Sequence, residues 1–280
     1  MGTLISFYNM RLIESSVVIM PQEEGVKGMM KQIEAAGRTC YKSENLATED
    51  SASKFVDMLI NRGHTAPLEH GTVELKRVGN RSEISDFYRK YRNNPYSRAM
   101  IISASPITDI CYVTTNLRVI YENNWVDDLK YWFKHNMFNR TTVRFICSIG
   151  IANEFVRHRA GSFCQESSRY CNYSRDKFGS EITFIKPYWY VTPEKEDIEE
   201  DIFEEMCKDS EMYYFTLLSN GCTPQEAREV LPKATKTELV MTCFNTDWEH
   251  FFELRRSSSA HPDAKKLADE LYALMHPVNG

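Results

Sequence analysis

Apolar residues recur at helical spacing over most of the chain, interrupted by short runs in which they alternate or crowd together. Val26, Met29, Met30 and Ile33 form one stripe, which predicts a helix over 22–36. A second helix is predicted over 49–62, with Phe55, Met58 and Leu59 inward and Gly63 as its stop. Pro67 marks a turn into an alternating strand, Gly71 to Val78, with Val73 and Leu75 on one face. Further helices are predicted over 82–92 and 125–135, and an extended stretch over 107–121, where Val, Ile, Thr and Tyr crowd. Strand signals return over 142–149 and 182–191. Helices are predicted over 151–157, 193–220, 224–231, 247–256 and 262–275. In the long acidic helix, Ile198, Ile202, Met206, Tyr213 and Leu217 are read as the inward face, with Gly221 ending it. Lys236 to Cys243 fits a strand or a helix equally well. No repeat, low-complexity segment or flexible linker divides the chain. The pattern predicts one compact α+β domain over 1–280, a central twisted sheet with packed helices.

Composition narrows the class. The chain has 280 residues and a formal net charge of −5. An acidic balance argues against a broad nucleic-acid face, which needs surplus Lys and Arg. No apolar run approaches the ~20 residues that span a bilayer, and Met1 to Met20 lacks the order of a secretory signal. The eight cysteines are scattered, with neither a disulfide framework nor CxxC spacing. They read as reduced thiols of a cytoplasmic protein, with no metal site.

Against this acidic background, cations and donors concentrate between residues 157 and 169. Arg157-His158-Arg159 is followed by Ser162, Cys164, Gln165, Glu166, Ser167, Ser168 and Arg169, interleaved with Phe163 and leading to Tyr170 and Tyr173. The guanidinium fork grips phosphate in fixed geometry, and aromatic rings flank flat ligands. Donors mixed with aromatics point to a nucleotide. Taken by composition alone, such a cluster also describes a solvated basic helix end. No GxGxxG or GxxxxGK[ST] is present, so side chains and irregular backbone must do the binding. No GxSxG elbow surrounds Ser167, which argues against Ser167 as a nucleophile with His158 as base. His64 and His70 bracket Pro67 and Glu69, a spacing better suited to a turn that hands one histidine to a cofactor than to a metal pair.

Four segments together resemble the flavin-dependent thymidylate synthases. Arg157-His158-Arg159, then seven residues, then Ser167 matches that family's signature, with Arg169 after it. His64-Thr65-Ala66-Pro67-Leu68-Glu69-His70 is similar to its HxSPFEH turn. Ala227-Arg228-Glu229-Val230-Leu231-Pro232 is similar to its ARxVLP segment, and Phe251 to Arg255 with Ala260 to its FxxLRxxxxA segment. The stretch 77–141 is longer than the family's usual link and reads as an insertion. The family's flavin-contacting Ser or Thr falls on Ala66, and its Asn and Arg near the flavin adenosine fall on Phe244 and Thr246.

The resemblance implies an enzyme that makes dTMP from dUMP, with methylenetetrahydrofolate as carbon donor and NADPH reducing bound FAD. It implies a homotetramer with shared active sites. Arg255 is the implied catalytic residue. The implied dUMP site is Glu154, Arg157, Gln165, Glu166, Ser167, Ser168, Arg169, Arg228 and Arg255. The implied FAD contacts are His64, Arg157, His158, Arg159, Gln165, Asn245 and His250. Because three flavin positions differ, a nucleotide-binding protein that has lost catalysis is the competing class.

Overall fold

A computed structural model describes residues 10–169, 171–174, 181–190 and 197–277. Its strands are β1 (Arg11–Ile13), β2 (Ser16–Ile19), β3 (Thr72–Gly79), β4 (Arg98–Ser105), β5 (Thr108–Asn116), β6 (Arg140–Ser148), β7 (Ser162–Gln165), β8 (Thr183–Ile185) and β9 (Lys236–Phe244). Its helices are α1 (Gly25–Tyr41), α2 (Ser51–Asn61), α3 (Arg81–Arg92), α4 (Leu117–Glu122), α5 (Ile149–Phe155), α6 (Asp197–Ser219), α7 (Pro224–Ala227), α8 (Asn245–Arg255) and α9 (Pro262–Met275).

The expected single central sheet is instead three. Four antiparallel strands run in the order β2-β6-β9-β7, three in the order β3-β5-β4, and β1 pairs with β8 in parallel. Each larger sheet has its own apolar cluster. Phe145, Met241 and Leu239 pack against Phe155 of α5, Trp248 and Phe251 of α8, and Leu267 and Leu271 of α9. Val73, Leu75 and Val113 pack against Met29 and Ile33 of α1, Phe55 and Leu59 of α2, and Ile84, Phe87 and Tyr91 of α3. Side chains from within the 77–141 stretch therefore share one core with the N-terminal helices.

Local chemistry explains the element ends. Asn80 and Glu83 form a reciprocal cap at the start of α3, and Thr223 with Glu226 does the same for α7. Gly63 and Gly221 follow their helices at φ of 68° and 93°, which favours residues without a Cβ. Ser148 accepts from the Ile151 amide at 3.2 Å and starts α5, which aims its C-terminal end into Arg157-His158-Arg159.

Several expectations fail for physical reasons. Strand β4 was read as neither strand nor helix. Its outer half is exposed, so it lacks an alternating signature and depends on pairing with β5. The extended stretch over 107–121 ends early, because the Asn116 side chain caps the Val119 amide at 3.0 Å and the chain turns into α4. The stretch 125–135 holds only a 3-10 turn, Val126–Tyr131, before Trp132 bridges to Leu75. The strand expected over 182–191 stops at Ile185; Val191 lies outside the described residues, as do residues 193–196 of the long helix and Tyr170.

The face of α6 is also corrected. Ile198, Ile202 and Tyr213 are exposed, whereas Phe203, Cys207 and Tyr214 are buried. Both stripes obey helical spacing. The buried carboxylate of Glu211 accepts the Ile182 amide at 2.8 Å and turns its own face inward. In α1, Val26 is likewise exposed while Met29 and Ile33 are fully buried.

Candidate active site

The end of α5 and the end of α8 meet around Arg255. Its Nε donates to His158 Nε2 at 3.0 Å and its Nη2 to the Glu154 carbonyl at 2.6 Å, while Nη1 pairs with the Glu154 carboxylate. Three of five guanidinium N–H groups are thereby engaged, leaving two for a ligand. The His158 ring rests on Phe251 at 4.9 Å and faces His250 at 6.3 Å. Burial, the Arg255 charge and His250 together push His158 down to about 4. A neutral imidazole whose Nε2 accepts carries its proton on Nδ1, an assignment that follows from the hydrogen-bond network.

A second group gathers where β7 ends beside β9. The Glu166 carboxylate is buried and accepts from Lys236 Nζ at 2.9 Å and from the Tyr173 hydroxyl at 3.3 Å. Lys236 also reaches Glu238 at 2.7 Å, and Lys42 meets Glu238 from α1's C-cap at 2.5 Å. Burial raises the Glu238 carboxyl, but the two lysines overcome it and hold the group down at about 2. Gln165 donates to Thr237 Oγ1 at 3.3 Å. The Ser167 amide is held by the Cys40 carbonyl at 3.1 Å, so α1 fixes the backbone of this segment. Arg228 reaches Ser168 Oγ at 3.4 Å, and Arg169 Nε reaches Gln225 at 2.9 Å. The residues proposed for dUMP thus divide: Glu154 and Arg255 lie in the first set, Gln165, Glu166, Ser167, Ser168, Arg169 and Arg228 in the second, and exposed Arg157 has no side-chain hydrogen bond or ion pair to either among the described residues.

The residues proposed for flavin are more dispersed. Arg157 and Arg159 are exposed, and their side chains make no hydrogen bond or ion pair among the described residues. His64 is exposed beside the Tyr41 hydroxyl at 3.5 Å. Asn245 accepts from Thr141 Oγ1 at 2.8 Å, and His250 lies on the outer face of α8 near Glu253 at 3.5 Å. His70 is not available to a cofactor at all. It is fully buried, and its Nδ1 lies 2.8 Å from Thr242 Oγ1.

Lys42, Lys236 and Glu238 were missed in the sequence. Lys236 and Glu238 sit two apart, which places them on one face only in a strand, and the sequence left strand and helix open here. All eight cysteines are free. Among the described residues, no cluster of three or more His, Cys, Asp or Glu is placed to hold a metal ion, and no helix is long and apolar enough to cross a membrane.

The histidines predict how stability depends on pH. Burial and the nearby Arg140 charge drive His70 down to about 3, and His158 lies at about 4. Unfolding restores values near ~6.5, so below that pH the unfolded chain binds more protons. Stability is full above ~6.5 and falls as pH drops toward 4, with His70 alone contributing up to ~1.4 kcal/mol per pH unit and half-exposed His158 less. Urea midpoints at pH 7, 6, 5 and 4 check this; equal midpoints across that window would contradict it.

Comparison with known proteins follows the same segments. A family model described as thymidylate synthase complementing protein matches residues 24–101 and 108–279. The chain belongs to that family. The two matched segments include most of the 77–141 stretch; the interval between them is 102–107, at the β4–β5 turn. Among individual proteins, it is 30% identical over 127 residues to the flavin-dependent thymidylate synthase of Geobacter sulfurreducens, covering 45% of this chain and 52% of that one. It is 30% identical over 125 residues to the protein of the same name from Pyrococcus furiosus, covering 44% and 48%. The chain spans about half the length of the curated relatives it matches. A crystal structure of a UMP/dUMP methylase from Streptomyces cacaoi with 5-Br dUMP is similar at TM-score 0.45 and 18% identity, over 96% of this chain and 94% of that one.

Proposed function

We propose that the protein is a flavin-dependent thymidylate synthase. It converts dUMP to dTMP, takes the carbon from methylenetetrahydrofolate, and uses NADPH as reductant through FAD. The observation that carries this reading is Arg255, held by Glu154 and by a neutral His158 in the Arg-His-Arg turn after α5, in a chain of the matching family.

Bound FAD supplies the hydride chemistry, and the protein supplies position and charge. The donor set fits such a group: Arg157 and Arg159 are cations without partners among the described residues, and phosphates need cationic partners. His64, Arg157, His158, Arg159, Gln165, Asn245 and His250 would hold it. On the substrate side, Arg228 and Arg169 give dUMP phosphate its counter-charge, while Ser167 and Ser168 position the nucleotide and do not attack it. Arg255 directs its remaining N–H groups and its charge at the uracil. A fixed cation there favours the N3-deprotonated ring and makes C5 nucleophilic. No cysteine is required as nucleophile. Cys147 and Cys243 are buried and pushed up to about 12, poor sources of thiolate.

The homotetramer with shared sites is part of the proposal. The two sets of dUMP residues, and the exposed Arg157, Arg159 and His64, are what an active site assembled between chains would leave in one chain. A cytoplasmic location accords with eight free thiols.

The purified protein is expected to carry or take up FAD, to oxidise NADPH in a dUMP-dependent manner, and to form dTMP when methylenetetrahydrofolate is present. A colourless protein that cannot bind added FAD would refute the reading in favour of a nucleotide-binding protein without catalysis.

A further inference from the structure

A cavity of about 240 Å³ opens between the two larger sheets, lined by Arg98, Arg140, Arg159, Ser162, Phe244 and Asp247 among others. Its cations come from three separate segments: the start of β4, the start of β6, and the turn after α5. Arg98 and Arg140 lie over the Phe244 ring, with Cζ 4.5 and 5.5 Å from its centroid. Asp247 approaches Arg98 at 3.5 Å, and these six lining residues hold three arginines against one carboxylate. Arg140 donates to the Glu69 carbonyl at 2.9 Å and to Thr72 Oγ1 at 3.2 Å, both uncharged acceptors. Its Nε is buried with no hydrogen-bond partner. Burial lowers Arg140 only to about 10, so it stays charged at neutral pH. A partly buried cation whose Nε is enclosed without a partner is costly unless an anion joins it. The start of α8, whose N-cap Phe244 offers no side-chain acceptor, also borders the space.

We propose that Arg98 and Arg140 join Arg159 to form a diphosphate subsite, and that its occupant is the diphosphate of FAD. This rests on the flavin reading above. Size supports it: the volume is below the ~300 Å³ at which pockets enclose a whole drug-sized ligand, and suits the diphosphate portion with the rest of the nucleotide outside. The dUMP phosphate is provided for by Arg169 and Arg228. Arg159 adjoins His158, so the subsite is continuous with the Arg255 group. The planar forks of Arg98 and Arg140, steadied on Phe244, are suited to oxygen pairs of a diphosphate.

The test uses the full chain stripped of flavin, and Arg98→Gln, which keeps β4 and removes one half-exposed cation. Binding of FAD and of riboflavin, which lacks phosphate, is followed by flavin fluorescence, and inorganic pyrophosphate is assayed by thermal shift. Arg98→Gln is expected to weaken FAD about tenfold and leave riboflavin unchanged, and pyrophosphate is expected to raise the Tm of the wild type but not of the variant. If the wild type binds FAD and the variant loses less than about threefold, or loses riboflavin equally, the subsite is overturned while the flavin reading stands. If the wild type binds no FAD, the flavin reading falls and pyrophosphate decides. Stabilisation that depends on Arg98 retains the diphosphate subsite, and its absence overturns it.

Discussion

Arg255→Ala is expected to lower kcat for dTMP formation by about two to three orders of magnitude, the usual effect of removing one pre-positioned donor from a developing charge. Folding is expected to survive. The guanidinium lies at the rim of the core, and the Glu154 carboxylate it leaves behind is 31% exposed and can be hydrated. FAD binding should fall only slightly, because the contacts assigned to flavin lie on other side chains and only His158 loses a hydrogen bond from Arg255. The contrast with Arg228→Ala is informative. Arg228 touches Ser168 and is assigned to phosphate, so its loss should raise the apparent KM for dUMP with a smaller effect on kcat. Steady-state kinetics on both variants separates the roles. Near-normal turnover in Arg255→Ala would remove that residue from the chemistry.

The second large effect concerns stability. Lys236 stands between two buried carboxylates, with side-chain exposures of 14% for Lys236, 2% for Glu166 and 9% for Glu238. Lys236→Met keeps the length of the stem and removes the charge. Glu238 retains Lys42, but Glu166 is left with only the Tyr173 hydroxyl among these partners. Stripping one partner from a buried pair costs ~3–5 kcal/mol, because the remaining charge is desolvated without compensation. Urea denaturation should show the midpoint falling with little change in m. Adding Glu166→Gln should recover part of the loss by removing the stranded charge. A single variant within ~1 kcal/mol of wild type would mean that water or Tyr173 already satisfies Glu166.

The two effects test different links. Arg255 acts at the proposed reacting centre, whereas Lys236 holds Glu166 in the segment that follows β7 and carries Ser167 and Ser168. This buried charge network was the part of the site least visible in the sequence. Glu166 is read easily as a ligand contact, since it sits in the signature. Its partner Lys236 lies 70 residues on, and Glu238 and Lys42 are separated by 196. Nothing local indicates that they meet. Arg98 and Arg140 are similar cases: neither falls in a predicted element, and only β4 and β6 bring both to Phe244.

Elements were legible where one face is buried and the other wet. The helix expected over 262–275 is α9, Pro262–Met275, because Ala264, Leu267, Ala268 and Leu271 repeat at helical spacing after a proline at its start. Strand β3 was clear because apolar Val73 and Leu75 alternate with polar Thr72, Glu74 and Lys76, although Glu74 is itself buried. Strand β9 was ambiguous because all of its residues after Lys236 are buried, which erases the alternation that distinguishes strand from helix. The face of α6 was misread because apolar residues occupy two stripes, and only the buried Glu211 contact selects between them.

The sequence by itself determined the helices with a single apolar stripe, the turn glycines, the concentration of arginine around residues 157–169, and the motif order that marks the family. These are local properties, fixed by spacing and by residue chemistry over a few turns. Only the tertiary structure decided that the strands form three sheets, that His70 is buried beside Thr242, and that Lys42, Lys236, Glu166 and Glu238 share one network. Pairing between strands and compensation between buried charges depend on groups far apart in the chain, and their energies exist only once folding has brought those groups into contact and excluded water from between them.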